Sequence, residues 1–205
     1  MTYIHFSKQQ LNDLSFSKER EIMLVNENGS YCSTSLSTCN TRKYHGLLVT
    51  PQPQIDEHNH VLLAGLDETI LLKNKSLQLA IHQYPGIHFP EGHLLMDGFT
   101  YNQTPKWLYK TDEVAIEKEI LICKKENRVL IKYKIIETNE PLKIRLNPFL
   151  AYRNVHSVRE ADLNNKIRSE SISNGIKFKM YREYSPLYIQ LSKKNDFVPS
   201  PDWYY

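Results

Sequence analysis

Apolar residues fall on every second position through much of the chain. In 76–81 they are Leu77, Leu79 and Ile81. Val114, Ile116, Ile120 and Ile122 share one parity, which Lys118 interrupts. Val129, Ile131, Tyr133 and Ile135 form the next set, followed by Leu142, Ile144 and Leu146. Ile176, Phe178 and Met180 repeat the pattern, as do Leu187, Ile189 and Leu191. A period of two sends alternate side chains to opposite faces, so each segment reads as a strand with one face on a core. The abundance of Ile, Val and Tyr agrees with strand.

The separators are turn-like. Lys124-Lys125-Glu126-Asn127 reads as a hairpin connection, and Asn139-Glu140-Pro141 divides the next two runs. Asn174-Gly175 is the strongest short hairpin signal, because both residues tolerate positive φ. The spacing predicts one short helix over 7–16, capped by Ser7 with Leu11 and Leu14 inward. The stretch 51–60 reads as a loop. Many short strands without a long helical pattern between them predict an all-β antiparallel sandwich with at most one or two short helices.

Composition narrows the function. The chain has 205 residues, 26 Lys+Arg and 23 Asp+Glu, a formal net charge of +3. Charges so evenly mixed argue against nucleic-acid binding and against a polybasic membrane contact. No apolar run approaches the ~18 residues of a membrane span, and the N-terminus lacks the pattern of a signal peptide. Cys32, Cys39 and Cys123 are odd in number and lack CxxC spacing, which favours reduced thiols and a cytoplasmic location, with a Cys32–Cys39 bridge as the alternative.

The densest motif is Asn40-Thr41-Arg42-Lys43-Tyr44-His45-Gly46-Leu47-Leu48-Val49, a short way after Asn26-Glu27-Asn28-Gly29-Ser30-Tyr31. It resembles the N-terminal domain of bacterial and archaeal glycogen debranching enzymes, the amylo-alpha-1,6-glucosidase family, whose signature reads Asn-Thr-Arg-Arg-Tyr-His-Gly-Leu-Leu-Val. Further resemblances follow in order: Leu66-Asp67-Glu68; Tyr84-Pro85-Gly86 with His88; Pro105-Lys106-Trp107-Leu108-Tyr109; Asn147-Pro148-Phe149-Leu150-Ala151-Tyr152-Arg153-Asn154-Val155-His156; and Asp202-Trp203-Tyr204. The chain departs from the family at Gly29-Ser30, where Gly-Gly is usual, and at Lys43, where Arg is usual.

The resemblance implies a supersandwich over 21–198, an N-terminal helix or extension over 1–20, and over 199–205 the start of a linker to a C-terminal α/α-barrel. In the family that barrel carries the catalytic acid and base. The implied function is therefore that of a non-catalytic domain. It would help shape the glucan site of a barrel, joined in cis or in trans, that hydrolyses alpha-1,6 branch points. The partners implied are an alpha-glucan, such as glycogen or limit dextrin, and the barrel. The alternative is a stand-alone carbohydrate-binding or interaction module.

The carboxylates on predicted strands make poor acid/base pairs, and only Glu91 and Asp97, in a loop-rich stretch, stay open. Glycoside hydrolysis needs two carboxyl groups roughly 5–5.5 or 6.5–9.5 Å apart. Asp67 and Glu68 are adjacent and would point to opposite faces of a strand. Glu117 and Glu119 share a face but alternate with apolar residues, as solvent-side positions do. His58 and His60 have the spacing of two ligands on one strand face, yet no third ligand accompanies them. No catalytic residue, metal site or cofactor is therefore assigned. Arg42, Tyr44, His45, Trp107, Arg153 and His156 are the candidates for contacting sugar or the barrel, since planar rings and forked donors suit sugar faces and hydroxyls. The competing reading makes Arg42 half of a buried ion pair, packs Tyr44 beside a strand start, and buries Trp107 in the core.

Overall fold

The computed structural model describes residues 3–160 and 168–202. The chain opens with β1 (Ile4–Ser7), α1 (Lys8–Asn12), α2 (Leu14–Glu19), β2 (Glu21–Val25), β3 (Tyr31–Ser35) and β4 (Gly46–Pro51). It continues through β5 (Asn59–Leu71), β6 (Ser76–Gln78), β7 (His82–Tyr84), β8 (Ile87–Phe89) and β9 (Met96–Tyr101). Then come β10 (Pro105–Lys110), β11 (Val114–Ile122), β12 (Val129–Thr138), β13 (Lys143–Asn154), β14 (Arg168–Ile172), β15 (Gly175–Lys179) and β16 (Leu187–Gln190).

These strands make the antiparallel β-sandwich that alternation predicts. One sheet has the order β1-β9-β10-β11-β12, and the other β13-β5-β4-β3-β2 with β6 added to β5. A small sheet, β14-β15-β16, and the ribbon β7-β8 complete the β structure. The predicted single helix is instead two, because Asp13 adopts extended backbone and caps the second, its Oδ1 accepting from Ser15 and Phe16 N–H. Leu11 is buried as expected. The predicted 51–60 loop is shorter, since β4 reaches Pro51 and β5 starts at Asn59.

The space between the two large sheets holds the main core. Trp107 is 0% exposed there, edge-on to Phe99 with ring centroids 5.0 Å apart. Its Nε1 donates to the Leu36 carbonyl at 2.8 Å. Lys118, the residue that breaks the apolar parity of β11, points into this same space. Its Nζ lies 2.6 Å from Glu68 Oε1 of the facing β5, with the two side chains 3% and 2% exposed. Tyr133 of β12 donates to the same oxygen at 2.6 Å. The chain therefore spans its core with an ion pair, and burial together with the Glu68 charge drives the Tyr133 and Tyr109 phenols well up.

On the outer face of the first sheet, Glu117 and Glu119 are met by lysines and a hydroxyl. Glu119 accepts from Thr104 at 2.6 Å and lies 3.4 Å from Lys132, while Glu117 lies 3.7 Å from Lys106. Glu119 is nearly buried by these neighbours, more so than a solvated face suggests.

β4 and β5 are covered on both faces. Leu48 and Leu62 belong to the main core, whereas Val49, Val61 and Val155 form a second apolar cluster on the opposite side. Gly46 sits between these side chains; a Cβ there would fall 2.7 Å from Val49 Cγ2 and 2.9 Å from Val61 Cγ1. Double burial removes alternation from the sequence, so Gly46-Leu47-Leu48-Val49 reads as a motif rather than as a strand.

Two further joints hold the parts together. The β2–β3 turn lies against the β11–β12 turn: Asn26 donates to the Cys123 and Glu126 carbonyls, Asn28 to Lys125, and the Glu27 N–H to Lys124. The buried Tyr152 takes positive φ (46°) at a bulge in β13, and its hydroxyl donates to the Phe178 carbonyl and accepts from Leu187 N–H. It thereby fastens the small sheet to the sandwich.

Candidate functional site

The segment joining β3 to β4 and the end of β13 meet over the second apolar cluster. Four of the six sequence candidates come together here at the surface, and His45 lies directly beneath. Arg153 draws the two segments into register: its Nη2 donates to the Lys43 carbonyl at 2.6 Å, and its Nη1 donates to the Ser157 carbonyl at 3.0 Å. Lys43 returns the link by donating to the His156 carbonyl at 3.0 Å. Asn40 anchors the start of the loop on the Ala64 carbonyl of β5.

Tyr44 is 41% exposed, and its ring stands edge-on to His156 at 5.7 Å. His156 in turn meets His58 edge-on at 4.9 Å. The Tyr44 hydroxyl and His156 Nδ1 are 3.3 Å apart. The Tyr31 hydroxyl donates to the Tyr44 carbonyl and supports the loop from β3. The result is a surface platform of one phenol and two imidazoles, flanked by the cations of Lys43 and Arg153. Arg153 is bonded to carbonyls, and its partial burial lowers its pKa from the ordinary guanidinium range; a guanidinium stays charged at neutral pH.

Glu21, at the start of β2, organises the layer below. Its Oε1 lies 2.5 Å from Arg42 Nε and 3.2 Å from His45 Nε2. His45 is 1% exposed, and its Nδ1 accepts from Thr41 N–H at 3.1 Å. An accepting Nδ1 places the ring proton on Nε2, toward Glu21. Burial pushes the His45 pKa down against the opposing pull of Glu21, so the ring is neutral at pH 7. His45 is thus a support for the platform and presents no atom to a ligand. Arg42 is the exposed half of its pair, which is a surface ion pair and not the buried one weighed from the sequence.

Trp107, a candidate for sugar contact, is not part of this surface; it is enclosed between the sheets, on the same buried face of β10 as Tyr109. His58 and His60 part company as well. His60 is buried, with Nδ1 on the Tyr184 hydroxyl at 2.8 Å and Nε2 on Asp56 Oδ1 at 3.0 Å, whereas His58 faces His156 at the surface. Asp56 also accepts from His58 N–H and Asn154, and these bonds, His60 first, hold its pKa at about 2. Among the described residues no group of three His, Cys, Asp or Glu side chains could hold a metal. No described helix is long and apolar enough to cross a membrane.

The sequence reading named Tyr31 and Asn40 within motifs and His58 beside His60, but placed none of them, nor Glu21, at this surface. Glu21 lies at a strand start, where no motif marks it, and its role and that of Tyr31 depend on a loop 10 to 25 residues away in sequence.

An antiparallel β-sandwich with a cationic, aromatic platform over one face of its second sheet is the class of domain these features define. Residues 20–205 match the family described as glycogen debranching enzyme N terminal, and the chain belongs to that family. No curated protein matches the chain.

Proposed function

We propose that the chain serves as a non-catalytic wall of a glucan site in a glycogen-debranching enzyme, with the Tyr44–His156–His58 platform turned toward the glucan or toward the catalytic barrel. The observation that carries this reading is the convergence of Asn40–Gly46 and Arg153–His156, far apart in sequence, on one exposed aromatic surface. Flat rings offer C–H contact to sugar faces, and Lys43 and Arg42 add donors for hydroxyls. The carboxylates nearest the platform are engaged elsewhere, Glu21 with Arg42 and Asp56 with His60 and Asn154. The chemistry of bond cleavage is therefore assigned to the barrel.

The test mixes this chain with a separately expressed catalytic barrel of the same family and measures glucose released from branched limit dextrin. The chain alone releases none. Its addition raises the barrel's kcat/KM, and Tyr44→Ala with His156→Ala removes about tenfold of that gain, or ~1.4 kcal/mol. Glucose release by the chain alone, or a barrel indifferent to its addition, refutes the proposal. Tight binding of maltooligosaccharide by the chain alone supports the stand-alone binding module instead.

A further inference from the structure

Among the described residues, no strand fills the flank of the sandwich between β12 and β13. Glu68 of β5 is bonded both to Lys118 of β11 and to Tyr133 of β12, so β5 stands opposite these two strands. β13, the next strand beyond β5 in its sheet, therefore overhangs the free edge of β12. Burial follows this offset. In register across the second sheet, Ile70 and Glu68 of β5 are buried, while their partners Ile144 and Leu146 of β13 are only half-buried. In the first sheet, Ile116 of β11 is fully buried, while its partner Ile135 of β12 is 46% exposed although it points to the core side.

We infer that this flank is an acceptor for one extended segment of a partner polypeptide, which pairs with the β12 edge and lies beneath β13. β12 is ten residues long, and among the described residues no strand pairs with its outer edge. The required chemistry of the occupant follows from the two faces. Side chains pointing inward meet Ile135, Ile144 and Leu146 and must be apolar. Side chains pointing outward meet the exposed Leu130, Lys132 and Lys134 of β12 and are best acidic beside the two lysines. A second copy of this chain does not fit. Its own β5 covers its β12, and would collide with the overhanging β13 of the first copy. The inference stands independently of the proposed glucan role.

The probe is a fluorescein-labelled ten-residue peptide in which valine and glutamate alternate, titrated into the full chain by fluorescence anisotropy. Saturable binding is expected. It weakens about tenfold or more when the valines are grouped into one block, when the backbone amides on the pairing edge are N-methylated, or when both lysines are reversed (Lys132→Glu with Lys134→Glu). The reversed variant, shown folded by its circular dichroism and melting temperature, prefers a valine–lysine peptide. Lys134→Glu alone tests the same point without touching the Lys132–Glu119 pair. Failure of the alternating peptide to bind, equal binding of the blocked peptide, or unchanged binding by the reversed variants overturns the inference. Sedimentation of the chain as a dimer that Ile135→Lys dissociates would also overturn it, in favour of a second copy.

Discussion

Replacing Lys118 by methionine is expected to strip the core of its only counter-charge to Glu68 among the described residues. The side chain that remains at position 68 is 2% exposed and still accepts from Tyr133, but a hydroxyl does not neutralise a carboxylate. Removing one partner of a buried ion pair costs about 3–5 kcal/mol, because the other charge is left without solvent or partner. Total stabilities are about 5–15 kcal/mol, so the variant loses about a fifth of its stability or more. For a chain of this size each kcal/mol moves Tm by about 2–4 °C, giving an expected fall of about 6–20 °C. Glu68→Gln alone should cost a comparable amount by stranding the Lys118 ammonium. Combining Lys118→Met with Glu68→Gln removes both charges while the amide still accepts from Tyr133, and should recover most of the loss. Urea and thermal unfolding followed by circular dichroism give the three values. A Lys118→Met cost below ~1 kcal/mol, or a double variant worse than either single one, would refute the reasoning.

Gly46→Ala should destabilise the chain by about 1–3 kcal/mol through overpacking against Val49 and Val61; Val61→Ala in the same chain should restore part of it, measured by urea midpoint. Asp56 has a folded pKa of about 2 against an ordinary 3.8, so its stabilisation is complete above pH ~4 and is lost as pH falls from there toward ~2. Asp56→Asn should therefore flatten the acid limb of a stability–pH curve in that window and leave the neutral limb parallel, and an unchanged acid limb contradicts the assigned bonds.

Much of the sandwich was legible because β12, β15 and β16 each have one face toward a core and one toward water, and β11 keeps the same alternation although its outer face is largely covered. Where both faces are covered, as in β4 and β5, the period vanishes and the strand hides in an apolar run. Lys118 was visible as a break in parity, but only the fold supplies Glu68 from a strand some 50 residues earlier. The candidate surface was half legible. The residue types of Arg42, Tyr44, Arg153 and His156 suggested recognition, yet nothing in the sequence says that Arg153 reaches the Lys43 carbonyl or that His45 turns inward to Glu21. Trp107 shows the converse: a ring suited to stacking on sugar is equally suited to filling a core, and its place on β10 decides for the core.

The clasp between the two turns at one end of the sandwich reads mostly main chain, with the Glu27–Lys124 ion pair and the Ser30–Asn127 hydrogen bond as its side-chain contacts. Asn26, Asn28 and the Glu27 N–H address four successive or near-successive carbonyls, from Cys123, Lys124, Lys125 and Glu126. Carbonyls are common to every residue type, so the identities at 125 and 126 are free to drift while the number of residues is not. Evolution can rewrite that turn letter by letter, but a single insertion or deletion shifts every acceptor out of reach and unfastens that end.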